Sequence, residues 1–427
     1  MRKVLFFALW ALISTPLSAQ NVREQLKENL FKAGSNYFAY PAPAKKLTPA
    51  PGGKKPFYLS HYARHGSRYL IKPKDYDNPY NVLLKAQQQG KLSAEGQEVL
   101  RRVGVLRDEA EGRYGDLTAL GVAQHRQIAQ RMYDRFPEVF CDKAVIDAKS
   151  TIVIRCIISM QSELLQLVRN NPTLRINADA SQHDMYYMNL QDSALFKKRY
   201  PKESMQRYQE FCKPYTVDKE AMGRLFNDSV YVRDSVDTYN LNLALFKMAS
   251  SVQGTEMRHH FNLFELYTPD ELYNNWLQAN AYWYISFGNN PWNGGQQPFT
   301  QRNLLRKIIE EADSCIAQPN PGATLRFGHE TIVLPLACLL GINGFDRQFN
   351  DLEDLVDNGW INFEVFPMAA NIQFVFYRKN PKDQDVLLKV LLNETEATLP
   401  LPTDHPPYYR WSDFRDYYLK KLDTFQE

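Results

Sequence analysis

Apolar residues recur every three or four positions in several long segments of the chain, which is the spacing that places them on one face of an α-helix. Thr118 stands directly before one of these segments and supplies a side-chain oxygen that can cap a helix N-terminus. The pattern predicts helices over residues 21–33, 80–106, 119–135, 159–168, 239–252, 269–286 and 302–316.

Short apolar runs bounded by turn residues lie between these helices and predict strands. They cover residues 57–62, 150–155, 174–178, 323–327, 372–377 and 386–392. A strand followed by a helix and another strand is typical of a parallel sheet with crossover helices. Strand patterns fade between about residues 192 and 313, where helical patterns dominate.

We therefore expect an α/β fold with a mostly parallel sheet flanked by helices. The core is predicted to be discontinuous, over residues 20–191 and 314–427, and to carry an inserted, mainly α-helical cap over residues 192–313. An insertion of this kind creates a cleft between the two parts.

The first residues have a different character. Arg2 and Lys3 precede an apolar run that ends near Leu17, and Ser18 and Ala19 are small. This is the pattern of a secretory signal peptide, and the run is shorter than the roughly 20 residues that span a membrane. We predict that residues 1–19 are a signal peptide cleaved near Ala19, and that the mature chain is exported to a periplasm or the extracellular space without membrane insertion.

Composition narrows the classes of function. The chain has 427 residues, of which 44% are hydrophobic, and 51 Lys and Arg against 48 Asp and Glu give a net charge of +3. That charge is too small to favour a nucleic-acid partner. The five cysteines form no CxxC pair, which argues against a thioredoxin-like motif or a zinc knuckle.

The densest cluster of chemically active residues follows the first predicted strand. Arg64 and Arg68 flank His65, and Gly66 allows the backbone to turn sharply and approach a ligand. Ligands bind beyond the carboxyl ends of strands in open parallel sheets, and paired guanidinium groups hold phosphate. His65 is then suited to attack phosphorus. A surface cluster of basic residues is the alternative interpretation of this segment taken alone.

Zinc is a second alternative for these histidines. His61 and His65 stand four residues apart, but their segment is predicted to be strand and turn rather than helix. Tyr62 occupies the place where the metalloprotease motif has Glu, and Arg64 would put a cation beside the metal. We therefore expect no metal at this site.

Two further segments carry candidate residues. His329 and Glu330 follow the predicted strand 323–327, where the imidazole can bind an oxyanion and the carboxyl can deliver a proton. Arg155 ends the predicted strand 150–155, and a buried cation needs an anion or a carboxylate. A helix N-terminus with an acidic first turn and a structural ion pair are the alternatives for each segment alone.

Together the three segments place complementary groups at strand ends of one predicted sheet. Arg64, Arg68 and Arg155 supply positive charge for a phosphate, His65 supplies a nucleophile, and Glu330 supplies an acid.

These residues resemble the motifs of the histidine phosphatase superfamily, in its acid phosphatase and phytase branch. Residues 64–68 match its RHGxR motif, and residues 117–125 resemble its LTxxGxxQ segment. Residues 151–160 resemble the segment that carries a third phosphate-binding arginine in that branch. Residues 329–331 stand where the branch has His-Asp-Thr or His-Ala-Glu, and residues 390–394 resemble its late strand.

Within the branch, the chain resembles the multiple inositol polyphosphate phosphatases in residues 281–288, 327–336 and 390–394. It departs from them because the alanine of their His-Ala-Glu motif is missing or replaced. Aligned without a gap, Thr331 falls on the usual glutamate. A threonine does not act as an acid near neutral pH, so Glu330 is the expected proton donor.

The resemblance implies a two-step hydrolysis of phosphomonoesters through a phosphohistidine on His65, with no metal or other cofactor. It implies a small phosphorylated substrate, most simply an inositol polyphosphate. The expected phosphate ligands are Arg64, Arg68, Arg155 and His329, with His65 and Glu330 as the catalytic pair.

The cap is expected to set substrate specificity, with Lys197 and Lys198 as candidate substrate contacts, and His183, near the start of the insertion, is a third candidate contact. A solvated helix face is the alternative for the two lysines. A broad-specificity acid phosphatase or sugar phosphatase is a second candidate function, and a non-catalytic phosphate- or glycan-binding protein is a third.

Overall fold

The structure is a computed structural model that describes residues 19–43, 45–189 and 192–425. The predicted signal peptide lies outside the described residues, apart from Ala19 at the start of the first helix. Among the helices of the described segments, none is both long and apolar enough to cross a membrane.

One eight-stranded sheet forms the centre of the molecule. Its strands are β1 Lys55–Arg64, β2 Val145–Ser150, β3 Arg175–Asp179, β4 Gly322–Gly328, β5 Asn371–Arg378, β6 Leu387–Leu392, β7 Thr395–Glu396 and β8 Tyr408–Arg410. The order is β3-β2-β4-β1-β5-β6-β7, and β8 also pairs with β6.

The predicted α/β fold class is confirmed, but the sheet is mixed rather than mostly parallel. The strands β3, β2, β4 and β1 pair in parallel. The pairings of β1 with β5, β5 with β6, and β6 with β7 and β8 are antiparallel. A short turn over residues 379–386 joins β5 to β6, and a hairpin connection requires antiparallel pairing.

Helices surround this sheet. They are α1 Ala19–Glu28, α2 Lys74–Gln88, α3 Ala94–Ala110, α4 Ala119–Arg135, α5 Ile154–Asn170, α6 Met185–Met188, α7 Ser193–Lys197, α8 Lys202–Cys212, α9 Asp218–Gly223, α10 Ser229–Ser235, α11 Thr238–Val252, α12 Pro269–Phe287, α13 Arg302–Ile316, α14 Glu330–Leu340, α15 Asp354–Asp357, α16 Asn362–Val365 and α17 Trp411–Asp423. The 3₁₀ turns are Leu30–Tyr37, Gln182–Asp184, Lys213–Tyr215, Glu256–His259, Leu263–Leu266, Pro291–Asn293, Gln297–Gln301 and Ile342–Gly344.

Both faces of the sheet are buried, because alternate residues of β1 enter different apolar clusters. Leu59 and Ala63 pack with residues of α4 and α5. Tyr58 and Tyr62 belong to the larger cluster, which includes residues of α2, α3, α11, α12 and α14. Every residue of β1 from Tyr58 to Arg64 is buried, including the polar Ser60 and His61.

Two predicted elements are wrong. Residues 80–106 form two helices rather than one, because Gly90 adopts a left-handed conformation and Ser93 caps a new helix. The strand predicted over 150–155 is also wrong, since β2 ends at Ser150 and α5 begins at Ile154. Arg155 therefore lies in the first turn of a helix and not at a strand end.

The division into core and cap stays a prediction. The region from 192 to 313 is helical, as expected. Its helix α11 contacts α2 and the Leu30–Tyr37 turn, and α13 contacts β1. Side chains from both predicted parts thus share one apolar cluster.

Candidate active site

The two segments that carry the candidate catalytic residues meet because β1 and β4 are adjacent and parallel. Arg64 at the end of β1 is in register with Gly328 at the end of β4. The backbone nitrogen of His65 donates to the Gly328 oxygen at 2.9 Å, which joins the two turns directly. His65 and His329 then lie with ring centroids 5.7 Å apart.

The RHGSR turn is clamped between α4 and α5. A Cβ atom on Gly66 would lie 2.5 Å from the Gly121 oxygen, so only glycine allows this approach to the start of α4. The Gly66 nitrogen donates to Ser159 Oγ of α5 at 3.2 Å. The Ser67 nitrogen donates to Gln124 Oε1 of α4 at 2.9 Å. These bonds hold the backbone around His65 in one conformation.

Arg64 is fully buried beside an acid and two carbonyl oxygens. Its Nη1 donates to the backbone oxygens of Asn36 at 2.5 Å and Phe366 at 2.9 Å. Its Nε lies 3.0 Å from Glu330 Oε2 as an ion pair. Its Nη2 has no hydrogen-bond partner among the described residues.

Arg68 and Arg155 complete a group of three guanidinium groups. Arg68 is 3% exposed, and its Nη1 donates to the Tyr69 oxygen at 3.0 Å. The Nε atoms of Arg68 and Arg155 have no hydrogen-bond partner within the described part of the chain. Buried donors of this kind are normally satisfied, so the three arginines together favour an anionic ligand.

His65 is held as a neutral imidazole with one free nitrogen. Its Nδ1 lies 2.9 Å from the Gly66 carbonyl oxygen, which only accepts, so this geometry assigns the proton to Nδ1. Its Nε2 is 3.7 Å from Glu330 Oε2. Burial, together with the charges of Arg64, Arg68 and Arg155, holds the pKa of His65 well below its ordinary value.

Glu330 begins α14, and its pKa is shifted in the direction opposite to that of an ordinary buried carboxyl. Burial raises the pKa of its carboxyl, but the charges of Arg64, Arg68 and His329 outweigh burial and lower the pKa to about 2. Burial also lowers the pKa of His329 to about 4, with Arg155 and Arg64 adding to the effect. The carboxyl is therefore ionised and both histidines are neutral near pH 7.

A metal ion is the alternative ligand for this group of side chains. His65, His329 and Glu330 each offer one ligand atom, and these atoms lie within 4.8 Å of one another. The guanidinium groups of Arg64 and Arg68 lie beside the same carboxylate and oppose a second cation there. The residues present fit an anion better than a metal.

The three candidate substrate contacts in and near the cap lie on the surface. His183, Lys197 and Lys198 are exposed. Lys198 Nζ donates to Gln296 Oε1 at 3.3 Å. Lys198 also lines a cavity of about 440 Å³. The described residues that line this cavity do not include His65 or Glu330. A role for these three residues in substrate binding stays a prediction.

Two residues at the site were not singled out from the sequence. The Leu30–Tyr37 turn brings Asn36 and Tyr37 to the arginines, with the Tyr37 ring 5.3 Å from the Arg68 guanidinium carbon. Asn36 Nδ2 also lies 3.5 Å from Glu330 Oε1. Ser35 adopts a φ of 54° just before them, and a Gly-Ser pair is the only turn signal that the sequence offers there.

Solved structures share this fold at low sequence identity. The multiple inositol polyphosphate phosphatase of Bifidobacterium longum, in complex with inositol hexasulfate, is 17% identical with a TM-score of 0.73, over 91% of this chain and 97% of that one. The phytase of D. castellii is 14% identical with a TM-score of 0.70, over 96% and 91%. The phytase of Hafnia alvei is 13% identical with a TM-score of 0.52, over 87% and 98%.

No curated protein matches the chain. The family model described as "Histidine phosphatase superfamily (branch 2)" matches residues 62–393, which include every residue of the cluster around His65 except Asn36 and Tyr37. The chain belongs to branch 2 of the histidine phosphatase superfamily.

Proposed function

We propose that the chain hydrolyses phosphomonoesters, with inositol polyphosphates as its substrates, through a phosphohistidine on His65. The observation that supports this most strongly is a buried neutral imidazole with a free Nε2, surrounded by the guanidinium groups of Arg64, Arg68 and Arg155. The unpartnered N–H groups of these arginines match the acceptor oxygens of a phosphoryl group.

In the first step, the lone pair on His65 Nε2 attacks phosphorus. A P–N bond forms while the P–O bond to the leaving alkoxide breaks. The three arginines and His329 bind the equatorial oxygens and neutralise the charge that spreads over them in the transition state. Because burial and the arginines keep His65 neutral, this nucleophile is available even at acidic pH.

Glu330 acquires its catalytic proton when substrate binds. With a pKa of about 2 the carboxyl is ionised in the free site. A bound phosphate brings negative charge beside the same arginines, which weakens their hold on the carboxylate and raises its pKa. A phosphomonoester monoanion carries the proton that Glu330 needs. Glu330 then protonates the leaving oxygen, which would otherwise be a poor leaving group.

In the second step, water attacks the phosphohistidine. Glu330, now ionised, takes a proton from that water as the P–N bond breaks. Inorganic phosphate leaves, and neutral His65 is regenerated. We expect an acidic pH optimum, because Glu330 must be protonated in the complex while His65 stays neutral.

The substrate assignment rests on the fold relatives and on the charge of the site. Three arginines around one phosphoryl group suit a highly anionic ester. One relative was crystallised with inositol hexasulfate, and the others named above are phytases. A broad-specificity acid phosphatase is the second candidate. We further propose that the helical region 192–313 acts as the specificity cap, and that the mature chain is exported.

The test is a comparison of kcat/KM for phytate with that for glucose 1-phosphate and nitrophenyl phosphate. The proposal predicts release of phosphate from all three, with phytate preferred. Turnover without a preference for phytate would favour the broad-specificity enzyme. Absence of turnover on every ester would refute the enzymatic function.

A further inference from the structure

The Leu30–Tyr37 turn contains a strained residue that a buried amide holds in place. Ser35 has a φ of 54° and a ψ of −119°, a combination that residues with a Cβ atom rarely adopt. Asn362 of α16 is fully buried and donates from Nδ2 to Ser35 Oγ at 2.7 Å. The Asn362 Oδ1 accepts from Trp276 Nε1 at 3.1 Å, so both ends of the amide are bound. Strain of this kind is concentrated at functional sites, where the surrounding contacts maintain it.

Asn36, the next residue, lies against the proposed catalytic acid. Its backbone oxygen accepts from Arg64 Nη1, and its Nδ2 donates to Glu330 Oε1 at 3.5 Å. Within the described residues, the half-buried Asn36 side chain makes no other hydrogen bond. The strained turn therefore delivers one amide side chain to one oxygen of Glu330.

The two carboxylate oxygens of Glu330 have different surroundings. Oε1 accepts from Asn36. Oε2 lies 3.0 Å from Arg64 Nε as an ion pair, yet this Nε makes no hydrogen bond to the described residues. Oε2 also lies 3.7 Å from His65 Nε2, the atom that attacks phosphorus in the proposed reaction. Oε2 is thus the oxygen on the side where the phosphoryl group would bind.

This difference selects the oxygen that carries the proton. In a protonated carboxyl, the oxygen without the proton is the better acceptor, so an N–H donor at one oxygen favours protonation of the other. The Asn36 amide keeps Oε1 as the acceptor and leaves the proton to Oε2. Once Glu330 is ionised, the same bond holds Oε1, and Oε2 is available to take a proton from water.

We propose that Asn36 is a positioning residue that directs the catalytic proton of Glu330 to Oε2. The inference rests on the proposed function, because it concerns the acid of that reaction. Asn36 acts through Glu330 and forms no bond to phosphorus or to the leaving oxygen. Its contribution is therefore greatest for substrates whose leaving oxygen needs a proton.

The charges around Glu330 determine how a change at position 36 acts. The charged and titratable groups that face this carboxyl are cations or are neutral near pH 7, and they are Tyr62, Arg64, His65, Arg68, Arg155, Cys156 and His329. Asn36→Asp would place an anion beside Glu330. A neighbouring anion raises the pKa of a carboxyl, so Glu330 would keep its proton to higher pH.

Two variants at position 36 test the role through kcat and KM on phytate and nitrophenyl phosphate. Asn36→Ala removes the donor and should lower kcat on phytate about ten-fold, with KM changed less than about two-fold. Its loss on nitrophenyl phosphate should stay below about three-fold, because that phenolate leaves without a full proton transfer. Asn36→Asp has nearly the same shape as Asn36. It should lower kcat on phytate at least as much and move the alkaline limb of the pH profile up by about one unit.

Asn29 provides the matched control in the same turn. Its Oδ1 accepts from the Phe31 nitrogen at 3.1 Å and caps the start of the turn, so Asn29→Ala should lower the unfolding temperature and leave kcat and the pH profile unchanged. Circular dichroism checks the fold of all three variants. Wild-type kcat in Asn36→Ala, equal losses on both esters, or an unmoved pH limb in Asn36→Asp overturns the inference. Failure of the wild type to hydrolyse any ester refutes the proposed function instead.

Discussion

Two histidine–glutamate pairs lie close to the same strands, and they differ in their surroundings. His125 of α4 and Glu163 of α5 are fully buried, with Nδ1 and Oε1 2.8 Å apart. His65 and Glu330 are 3.7 Å apart at the ends of β1 and β4. Burial raises the pKa of Glu163, whereas arginines lower that of Glu330 to about 2.

The comparison shows that neighbouring charge, rather than the histidine–glutamate contact itself, sets the direction in which the pKa of the glutamate shifts. The inner pair, His125 and Glu163, fastens α4 to α5 through one hydrogen bond, while His125 Nε2 and Glu163 Oε2 have no hydrogen-bond partner among the described residues. The outer pair, His65 and Glu330, has a free His65 Nε2 and is surrounded by guanidinium groups with unpartnered donors. Such a site is preorganised for an anion, which supports the proposed chemistry at phosphorus.

The largest expected effect is the loss of the outer histidine. His65→Ala should reduce turnover by at least about 10⁴-fold, because it removes the proposed nucleophile. The fold should remain, since the side chain makes one backbone contact and lies in a ligand-binding turn. Activity is measured on nitrophenyl phosphate and the fold by circular dichroism.

The inner histidine provides the matched control. His125→Ala should leave turnover per folded molecule nearly unchanged and lower the free energy of unfolding by about 3 kcal/mol, because it leaves Glu163 buried without its partner. Substantial turnover in folded His65→Ala protein, or loss of turnover in folded His125→Ala protein, would reverse the roles assigned to the two pairs.

The next largest effect is a loss of turnover that depends on the leaving group of the substrate. Glu330→Gln should reduce turnover of phytate by about 10²–10³-fold, because the amide cannot protonate an alkoxide. The loss on nitrophenyl phosphate should be smaller, since that phenolate leaves more readily. Equal losses on both substrates would move the acid role elsewhere, first to Asp184, which pairs with Lys149 at 3.2 Å.

The pH dependence of stability separates the two glutamates. Because the pKa of Glu330 is lowered from 4.5 to about 2, its ionised carboxylate stabilises the fold at pH values above 4.5. This contribution is lost as the pH falls to about 2. Glu330→Gln should therefore lower the unfolding temperature at pH 7, and the difference from wild type should shrink as pH falls below 4.5.

The contribution of Glu163 to stability changes with pH in the opposite direction. Its raised pKa means that its contribution to stability is present at low pH and declines as pH rises above 4.5. Glu163→Gln removes that decline and keeps an oxygen that accepts from His125. This variant should therefore gain stability relative to wild type as pH rises. Parallel pH profiles for the two variants would show that the arginines do not control Glu330.

The smallest expected effect is that of a metal chelator. Turnover should be unchanged after treatment with EDTA, because His65, the arginines and Glu330 supply every role in the proposed reaction. The assay is phosphate release before and after dialysis against the chelator. Loss of activity that a divalent cation restores would assign His65, His329 and Glu330 to a metal site.

Local pattern was sufficient for the elements with strong periodicity and clear ends. The helices predicted over 119–135 and 302–316 match α4 and α13, because their apolar spacing and the cap at Thr118 are encoded locally. The turns after β1 and β4 could likewise be placed, since both strands are short apolar runs followed by charged residues.

Features that depend on tertiary contacts could not be predicted in this way. The β-branched run 151–153 favours a strand, but in the fold the Thr151 nitrogen donates to the Phe327 oxygen and the chain then turns into α5. Asn36 reaches the site through a turn distant in sequence, and its backbone oxygen binds Arg64. No periodicity marks such a contact, because it arises only when the sheet has assembled.

The most direct test of the central claim is to trap the covalent intermediate. The Glu330→Gln variant should be mixed with nitrophenyl phosphate, quenched rapidly under alkaline conditions and analysed by peptide mass spectrometry, with His65→Ala as the control. We predict an acid-labile phosphoryl group on His65 that accumulates in the Glu330→Gln variant, because water attack slows without its base. Phosphate on another residue, or turnover with no phosphorylated protein at any time, would contradict the account.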